Sequence, residues 1–402
     1  MLKRSVIAIA LLSVGLYIGF SLPRGAGLIT TLINFTSNST ADYSGTASHQ
    51  AFLDMQDTIS NAREMVLADA RTEQEANEGM RWLLRVISMA TEVAADTNPR
   101  LPHFQRMDTL TRKVGGDNPD AEYEFAQIDG QFDYKITGNL GDVRYLGFTI
   151  NAGQGMTPRR QVGYISDQML DLDSESNFTI LLAKEKPDQP GNWIQIPEDA
   201  SGVLVREYIA DRANETLPTL NIAILGEEPE FAPPTDVEIA NSIVAANYAF
   251  LKLTTLHRAV LPELLEEHNG FIRVTSERLG GAISGADNLY MIGSYQIEDD
   301  EALIVTVTPP PARYWNLTLE NRWHEIGDYL HRPTSLTLEG VEFEPDGSVE
   351  FLIAHENPGH PNWLDTSGHN FGFMTFRWVD GERMDVTMPK TRLVKLAELE
   401  RS

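Results

Sequence analysis

Pro190-Gly191-Asn192-Trp193, with Arg206 following inside an apolar run, returns later as His360-Pro361-Asn362-Trp363, with Arg377 in the same setting. The two tryptophans lie 170 residues apart and the two arginines 171. Tyr145 in Arg144-Tyr145-Leu146-Gly147-Phe148-Thr149 matches Tyr314 in Arg313-Tyr314-Trp315-Asn316-Leu317-Thr318 at a separation of 169, and Tyr123 matches Tyr290 at 167. A period this long exceeds any solenoid unit and reads as two copies of one domain-sized module. What both copies share is read as scaffold. What one copy has alone is where function is sought.

Outward from these landmarks the pattern is that of short strands. Ala121–Gln127, Phe132–Thr137, Arg144–Ile150, Asn177–Ala183 and Val203–Ile209 are rich in β-branched and aromatic residues, and turns such as Asp129-Gly130 separate them. The series resumes at Leu289–Ile297, Ala302–Thr308, Tyr314–Glu320, Ser348–Ala354 and Gly372–Val379. Helical spacing precedes each series. Phe52, Met55, Ile59, Met65 and Val66 predict one helix over Ser48–Ala70. A capping box at Thr72–Glu75 opens a second to about Asp96, with Met80, Leu83, Leu84, Ile87 and Val93 as its apolar face. A long helix from Thr235 to about Glu267, kinked or broken at Pro262, opens the second copy, and Lys390–Arg401 reads as a short closing helix. The acidic, Pro-rich joint Gly226–Pro234 is the best boundary. The predicted fold class is α+β, mostly β: two tandem antiparallel β-sandwich, jelly-roll-like modules, each preceded by helices, over residues 46–233 and 234–402.

Residues 1–27 carry Lys3 and Arg4 ahead of an apolar run from Val6 to Leu22, the pattern of a signal anchor or signal peptide. Residues 28–45 read as a spacer. The expectation is an extracytoplasmic protein of the cell envelope, held in the membrane by the N-terminal segment alone, or secreted if that segment is cleaved. Over the whole chain of 402 residues the net charge is −26, which repels nucleic acid and anionic lipid. The chain has no cysteine, which excludes disulfides, zinc–thiolate sites and thiol catalysis. The Gly-x-Ser-x-Gly elbow and the Gly-x-x-x-x-Gly-Lys-Ser/Thr phosphate loop are both missing. Gly280–Gly285 is Gly-rich but does not fit a dinucleotide fingerprint and reads as a loop.

The segments Gly116-Asp117-Asn118-Pro119-Asp120, Pro310-Pro311-Ala312-Arg313-Tyr314-Trp315 and Asp346-Gly347-Ser348, with Pro361-Asn362-Trp363, form a set. This set resembles the bacterial family called domain of unknown function 1214, whose members often carry a related second module upstream. The resemblance spans most of residues 100–380 and is strongest from Pro309 to Trp378. It implies an all-β C-terminal module of jelly-roll type and implies no activity. The chain departs from the family pattern at Leu364-Asp365-Thr366-Ser367-Gly368-His369, where a polar cluster replaces a Leu-Pro-rich turn.

Three sets of residues carry candidate chemistry. Asn192, Trp193 and Arg206 with Trp315, Asn362, Trp363 and Arg377 form a ligand-binding set, Trp offering a flat apolar face and Arg a fork for a carboxylate. Because both copies carry it, the same set also reads as scaffold. Asp117, Asn118 and Asp120 offer oxygen ligands to calcium, or simply make a turn. The third set belongs to the second copy: five of the nine histidines lie between 324 and 369. His324, Glu325, His355 and His360 are the catalytic candidates, and His355, His360 and His369 the ligands of a divalent transition metal. The favoured expectation is an envelope protein that binds a small-molecule or glycan ligand in the cleft between modules or on the second sandwich. The rivals are a metal-assisted hydrolase or lyase built on those histidines, with Glu325 or Glu356 as base, and a structural or assembly protein. The oligomeric state is not readable from the sequence.

Overall fold

The computed structural model describes residues 42–399 apart from 96, 154–156, 158, 210, 212–213, 227–231, 276–277, 280–287 and 381–384. The N-terminal apolar run and the Gly280–Gly285 loop lie outside the described residues. Among the described residues no helix is long and apolar enough to cross a membrane.

Two helices open the fold, α1 (Ala47–Asp69) and α2 (Glu73–Ala94). Thr46 and Thr72 cap them, each side-chain oxygen accepting from the backbone N–H three residues on. The first β module follows: β1 (Gln105–Arg106), β2 (Ala121–Gln127), β3 (Tyr134–Asn139), β4 (Tyr145–Ala152), β5 (Arg160–Ser166), β6 (Asn177–Ala183), β7 (Asn192–Gln195), β8 (Ala200–Tyr208) and β9 (Thr219–Ile224). Then come α3 (Asp236–Thr254) and α4 (Leu256–Ala259). The second module is β10 (Gly270–Val274), β11 (Asn288–Gln296), β12 (Glu301–Val307), β13 (Trp315–Glu320), β14 (Ser335–Thr337), β15 (Val349–Ala354), β16 (Trp363–Asp365), β17 (Phe371–Val379) and β18 (Lys390–Lys395), with α5 (Leu396–Leu399) after it.

The duplication is complete at the level of topology. Module 1 has a five-stranded sheet β1-β2-β8-β4-β5 and a four-stranded sheet β7-β6-β3-β9; module 2 repeats both orders strand for strand, β10-β11-β17-β13-β14 and β16-β15-β12-β18. Pairing is antiparallel except at β6/β7 and its equivalent β15/β16, which are parallel. Each sandwich closes over its own core. Ile136, Phe148, Ile180, Val203 and Val205 fill the first; Leu303, Leu317, Phe351, Phe376 and Trp378 fill the second.

The helices do not divide between the modules. Asp236, at the start of α3, accepts hydrogen bonds from the N–H groups of Ala47 (2.8 Å) and Ser48 (3.0 Å) at the start of α1. Val66, Trp82, Val86, Ala246 and Phe250 from α1, α2 and α3 pack with Trp323 of module 2 into one apolar cluster. Trp82 and Trp323 stack at 5.4 Å. Gly79 makes this possible: a Cβ there would lie 2.5 Å from Val66 and 2.9 Å from Trp323.

Three local expectations are corrected. Lys390–Lys395 is a strand paired along β12, and only Leu396–Leu399 is helical, because the open edge of the four-stranded sheet outweighs the helix-favouring lysines and leucines. The helix at 235 ends at Thr254, well before Pro262, with the short α4 set apart after it. Leu84 faces solvent rather than the core. The buried stripe of α2 runs through Trp82, Leu83, Val86, Met89, Ala90 and Val93, because the helix is gripped by Trp323 on one side and by β2 and β8 on the other.

Candidate functional site

Alternation along the central strands gives each five-stranded sheet a second, outward face. In β8, Val203 and Val205 enter the sandwich core while Leu204, Arg206 and Tyr208 point away from it; in β17, Phe376 and Trp378 enter the core while Thr375, Arg377 and Val379 point away. Register makes these residues equivalent. Arg206 pairs with Tyr123 and Gly147, and Arg377 with Tyr290 and Asn316. The two outward faces meet. Tyr208 stacks between Tyr145 (5.1 Å) and Tyr314 (4.7 Å), so its ring spans the joint between modules. The Gly115–Asp120 loop of module 1 seals one side: Asn118 accepts from Asn316 (2.8 Å) and donates to the Tyr314 hydroxyl (3.0 Å). Asp117, Asn118 and Asp120 are thus engaged in docking one module on the other.

Between the faces and helices α2 and α3 lies a cavity of about 200 Å³. Met89, Val93, Leu204, Ala249, Leu253 and Ile292 give it apolar walls. Arg159, Arg206, Lys252, Arg377, His324, Asp108, Asp117 and Glu320 bring ionisable groups to it.

The charges are arranged asymmetrically on a symmetric frame. Arg377 donates to Thr318 Oγ1 (2.8 Å) and to the Gly116 carbonyl (2.7 Å), and it pairs with the Glu320 carboxylate (3.5 Å). Gly116, at φ 74°, permits the approach: a Cβ there would sit 3.2 Å from Glu320 Oε1. Arg206 makes the equivalent bond, Nη1 to Thr149 Oγ1 at 3.1 Å, but the position that answers to Glu320 is Asn151. The Arg206 side chain is 1% exposed and its Nη2 has no hydrogen-bond partner. Arg159 lies over the Phe125 ring at 5.4 Å, and burial lowers its pKa. Lys252 is lowered by burial and by the neighbouring Arg159 guanidinium. Among the described residues no carboxylate forms an ion pair with Arg159, Arg206 or Lys252.

The module 2 end carries an acid–base constellation. His324 Nδ1 meets Glu320 Oε2 at 2.8 Å, and its Nε2 has no partner. Its ring stacks on Phe373 at 4.2 Å and its backbone is left-handed, φ 57°. Burial works against the Glu320 carboxylate, but the hydrogen bond from His324 and the charges of His324 and Arg377 outweigh it and hold its pKa below the ordinary value. Thr375 fixes the other oxygen at 2.7 Å. Asp117 Oδ1 accepts from the Ile326 N–H (3.1 Å) while Oδ2 has no partner. Burial pushes its pKa to about 8, against the pull of the Lys113 ammonium.

The residues singled out in the sequence fall into separate places. Arg206, Arg377 and His324 come together at the cavity. Asn192 and Asn362 do not: each ties a loop to its four-stranded sheet through three side-chain hydrogen bonds, to Asp171 and Thr179 in one module and to Glu342 and Glu350 in the other. Trp193 and Trp363 accompany them on β7 and β16, and Trp315 is buried in the second core. Glu325 turns away from His324 to pair with Arg81 and Arg85. His355 bonds Thr366 Oγ1 (2.7 Å), His360 Nδ1 accepts from Asn362 N (3.1 Å), and His369 bonds Glu78 (2.8 Å). Among the described residues no group of three or more His, Asp or Glu is placed to hold a metal ion. Sequence reasoning missed Glu320, Asp117 as a cavity residue, Arg159 and Lys252. The repeat itself held one signal: a separation of 169 sets Asn151 against Glu320.

A structure of an uncharacterised protein from Burkholderia cenocepacia superposes with a TM-score of 0.81 at 28% identity, covering 87% of this chain and 98% of that one. The VPA0106 protein from Vibrio parahaemolyticus has a TM-score of 0.48 at 12% identity, covering 78% of this chain and 97% of that one. No curated protein matches. The model of the family described as "Protein of unknown function (DUF1214)" matches twice, over residues 121–212 and 296–382, once in each β module. Each sandwich of the chain therefore carries one match to the DUF1214 family, in tandem.

Proposed function

We propose that the protein binds a small carboxylate with a compact apolar body in the cavity between its modules. One observation carries this reading: Arg206 is buried with a free Nη2 where its equivalent, Arg377, has Glu320. A buried cation without an anion is costly, and a carboxylate ligand supplies both the charge and the acceptor. Arg159 and Lys252 support the same sign of ligand, since two like charges side by side at an apolar cavity gain from an anion. The volume sets the size. A dry cavity of about 150 Å³ accepts benzene, so this one suits a phenyl- or hexyl-sized body. The N-terminal Lys3-Arg4 pair and apolar run support export, so the ligand would be met outside the cytoplasm.

The test is titration calorimetry with hexanoate and phenylacetate beside their amides. The carboxylates should bind at least about 10-fold tighter than the amides, as a charge-assisted bond of about 1.5–3 kcal/mol requires. Arg206→Gln should remove that preference. Equal binding of acid and amide, or of neither, refutes the reading.

A further inference from the structure

We infer that the module 2 end of the same cavity is an acid–base centre that moves a proton on a small 2-oxo carboxylic acid, with His324 Nε2 as base and Asp117 Oδ2 as acid. This rests on the proposed anion site, which would hold the substrate carboxylate at Arg206 and present the adjoining carbons to module 2. Five observations support the assignment. The Glu320–His324 bond fixes the imidazole by its Nδ1 and leaves Nε2 for chemistry, the arrangement by which a carboxylate orients a histidine base. His324 is held in a left-handed backbone conformation, a strain that persists where the surroundings impose it and that clusters at active sites. Asp117 is 4% exposed with one oxygen unpartnered, and its burial keeps it protonated at neutral pH, as a donor to a carbonyl oxygen must be. The two segments are tied together: Gly116 N–H donates to the His324 carbonyl at 2.8 Å, and Asp117 accepts from Ile326. Module 1 has Asn151 in place of Glu320, so the centre is not part of the shared scaffold.

The step balances without a co-reactant. The bond from hydrogen to the carbon beside the keto group breaks. Its electron pair forms the carbon–carbon double bond of the enol. The proton goes to His324 Nε2, and the Asp117 proton goes to the keto oxygen. The resulting imidazolium is paired with Glu320, and the resulting Asp117 carboxylate lies within the field of Lys113. Reversal returns both protons, so the catalysed event is enolisation. Behind His324, at 6.3 Å between ring centroids, stands His257. Burial lowers its pKa, which disfavours a second positive charge beside the imidazolium.

The experiment follows 4-methyl-2-oxopentanoate by proton NMR in D₂O, with its affinity measured in parallel. The protein should accelerate loss of the C3 proton signal above the buffer rate. His324→Gln should cut the acceleration by about 10²–10⁴-fold while the ligand still binds. Glu320→Gln, a positioning change, should displace the pH–rate profile. Should His324→Gln fail to fold, the isosteric Asp117→Asn decides, with the same loss of rate at retained affinity. Binding with exchange at the buffer rate overturns this inference and leaves the anion site standing. Absence of binding overturns both.

Discussion

The charge asymmetry can be tested by repairing it. Asn151 stands on the same face of β4 as Thr149, two residues on, as Glu320 stands to Thr318 on β13. Asn151→Glu therefore gives Arg206 the carboxylate that its equivalent already has. In the free protein the gain is a charge-assisted hydrogen bond to a guanidinium that is already desolvated. Such bonds contribute about 1.5–3 kcal/mol, and part is lost to burying the new carboxylate, so a net stabilisation of about 1–2 kcal/mol is expected. The same carboxylate occupies the place of the ligand's and repels it. Loss of the free donor together with like-charge repulsion should weaken hexanoate by about 100-fold or more, equivalent to about 2.7 kcal/mol. Urea midpoints and calorimetric affinities, on the same preparations, read both effects.

Two details decide the choice of variants. Strand β4 has register shifts on either side of Asn151, which can aim a longer side chain elsewhere. Asn151→Asp adds the charge without the volume and serves as the second arm. Thr375, which fixes Glu320, is Leu204 in module 1, so Asn151→Glu with Leu204→Thr rebuilds the whole set. The reasoning is refuted if these variants fold, are no more stable, and bind hexanoate as before. Arg206 would then be balanced by its surroundings and would not be the ligand's partner.

Gly79→Ala should destabilise by about 1–3 kcal/mol in urea unfolding, overpacking against Val66 and Trp323 outweighing the helix-propensity gain of about 1 kcal/mol. Asn192→Ala and Asn362→Ala should each cost about 2–4 kcal/mol through three lost hydrogen bonds while leaving hexanoate affinity unchanged, which calorimetry would check. His369 is pulled down by burial but raised overall by the hydrogen bond and charge of Glu78. Its stabilisation is therefore fully present below about pH 6.5 and lost as pH rises through the elevated folded value, so the stability gap between wild type and His369→Gln should shrink from pH 6 to pH 9.

How much of this was legible depends on where the signal is carried. Strands β2, β6 and β8 could be read because each is buried along most of its length and rich in branched and aromatic residues. Strands β5, β7, β9, β14 and β16 were not, because they lie at sheet edges, where pairing with a neighbour rather than composition makes the strand. The same force turned Lys390–Lys395 from an expected helix into β18. The resemblance from Pro309 to Trp378 pointed to the right family, and the family model matches the first module as well. The Asn-Trp pair and the following Arg were grouped because they are close in sequence. They separate in space because β7 and β8 belong to different sheets, and likewise β16 and β17. The histidines of module 2 are close in sequence, yet His324 faces the cavity while His355, His360 and His369 make hydrogen bonds to loops and to α2. No local pattern distinguishes those fates.

The duplication also explains why the asymmetry has to exist. Packing two equivalent faces against each other brings Arg206 and Arg377 to one cavity, together with Tyr123 and Tyr290. Two guanidiniums at one apolar cavity repel and are poorly solvated, so a purely symmetric joint would be unstable without anions. Glu320 neutralises one of them from within the chain. The other is left to its surroundings or to a ligand. That division gives the cavity a direction. On the proposed reading an anionic group is drawn to Arg206, Arg159 and Lys252, none of which forms an ion pair among the described residues, and is repelled from Glu320. A ligand so oriented presents its uncharged part to His324 and Asp117. The surface of the protein, at a net charge of −26, disfavours anions in general, so the local cationic cluster works against the field of the whole molecule. On the proposed reading selectivity rests on burial: a small carboxylate that can leave the solvent and enter between the modules would gain the pairing, and a large or highly charged anion would not.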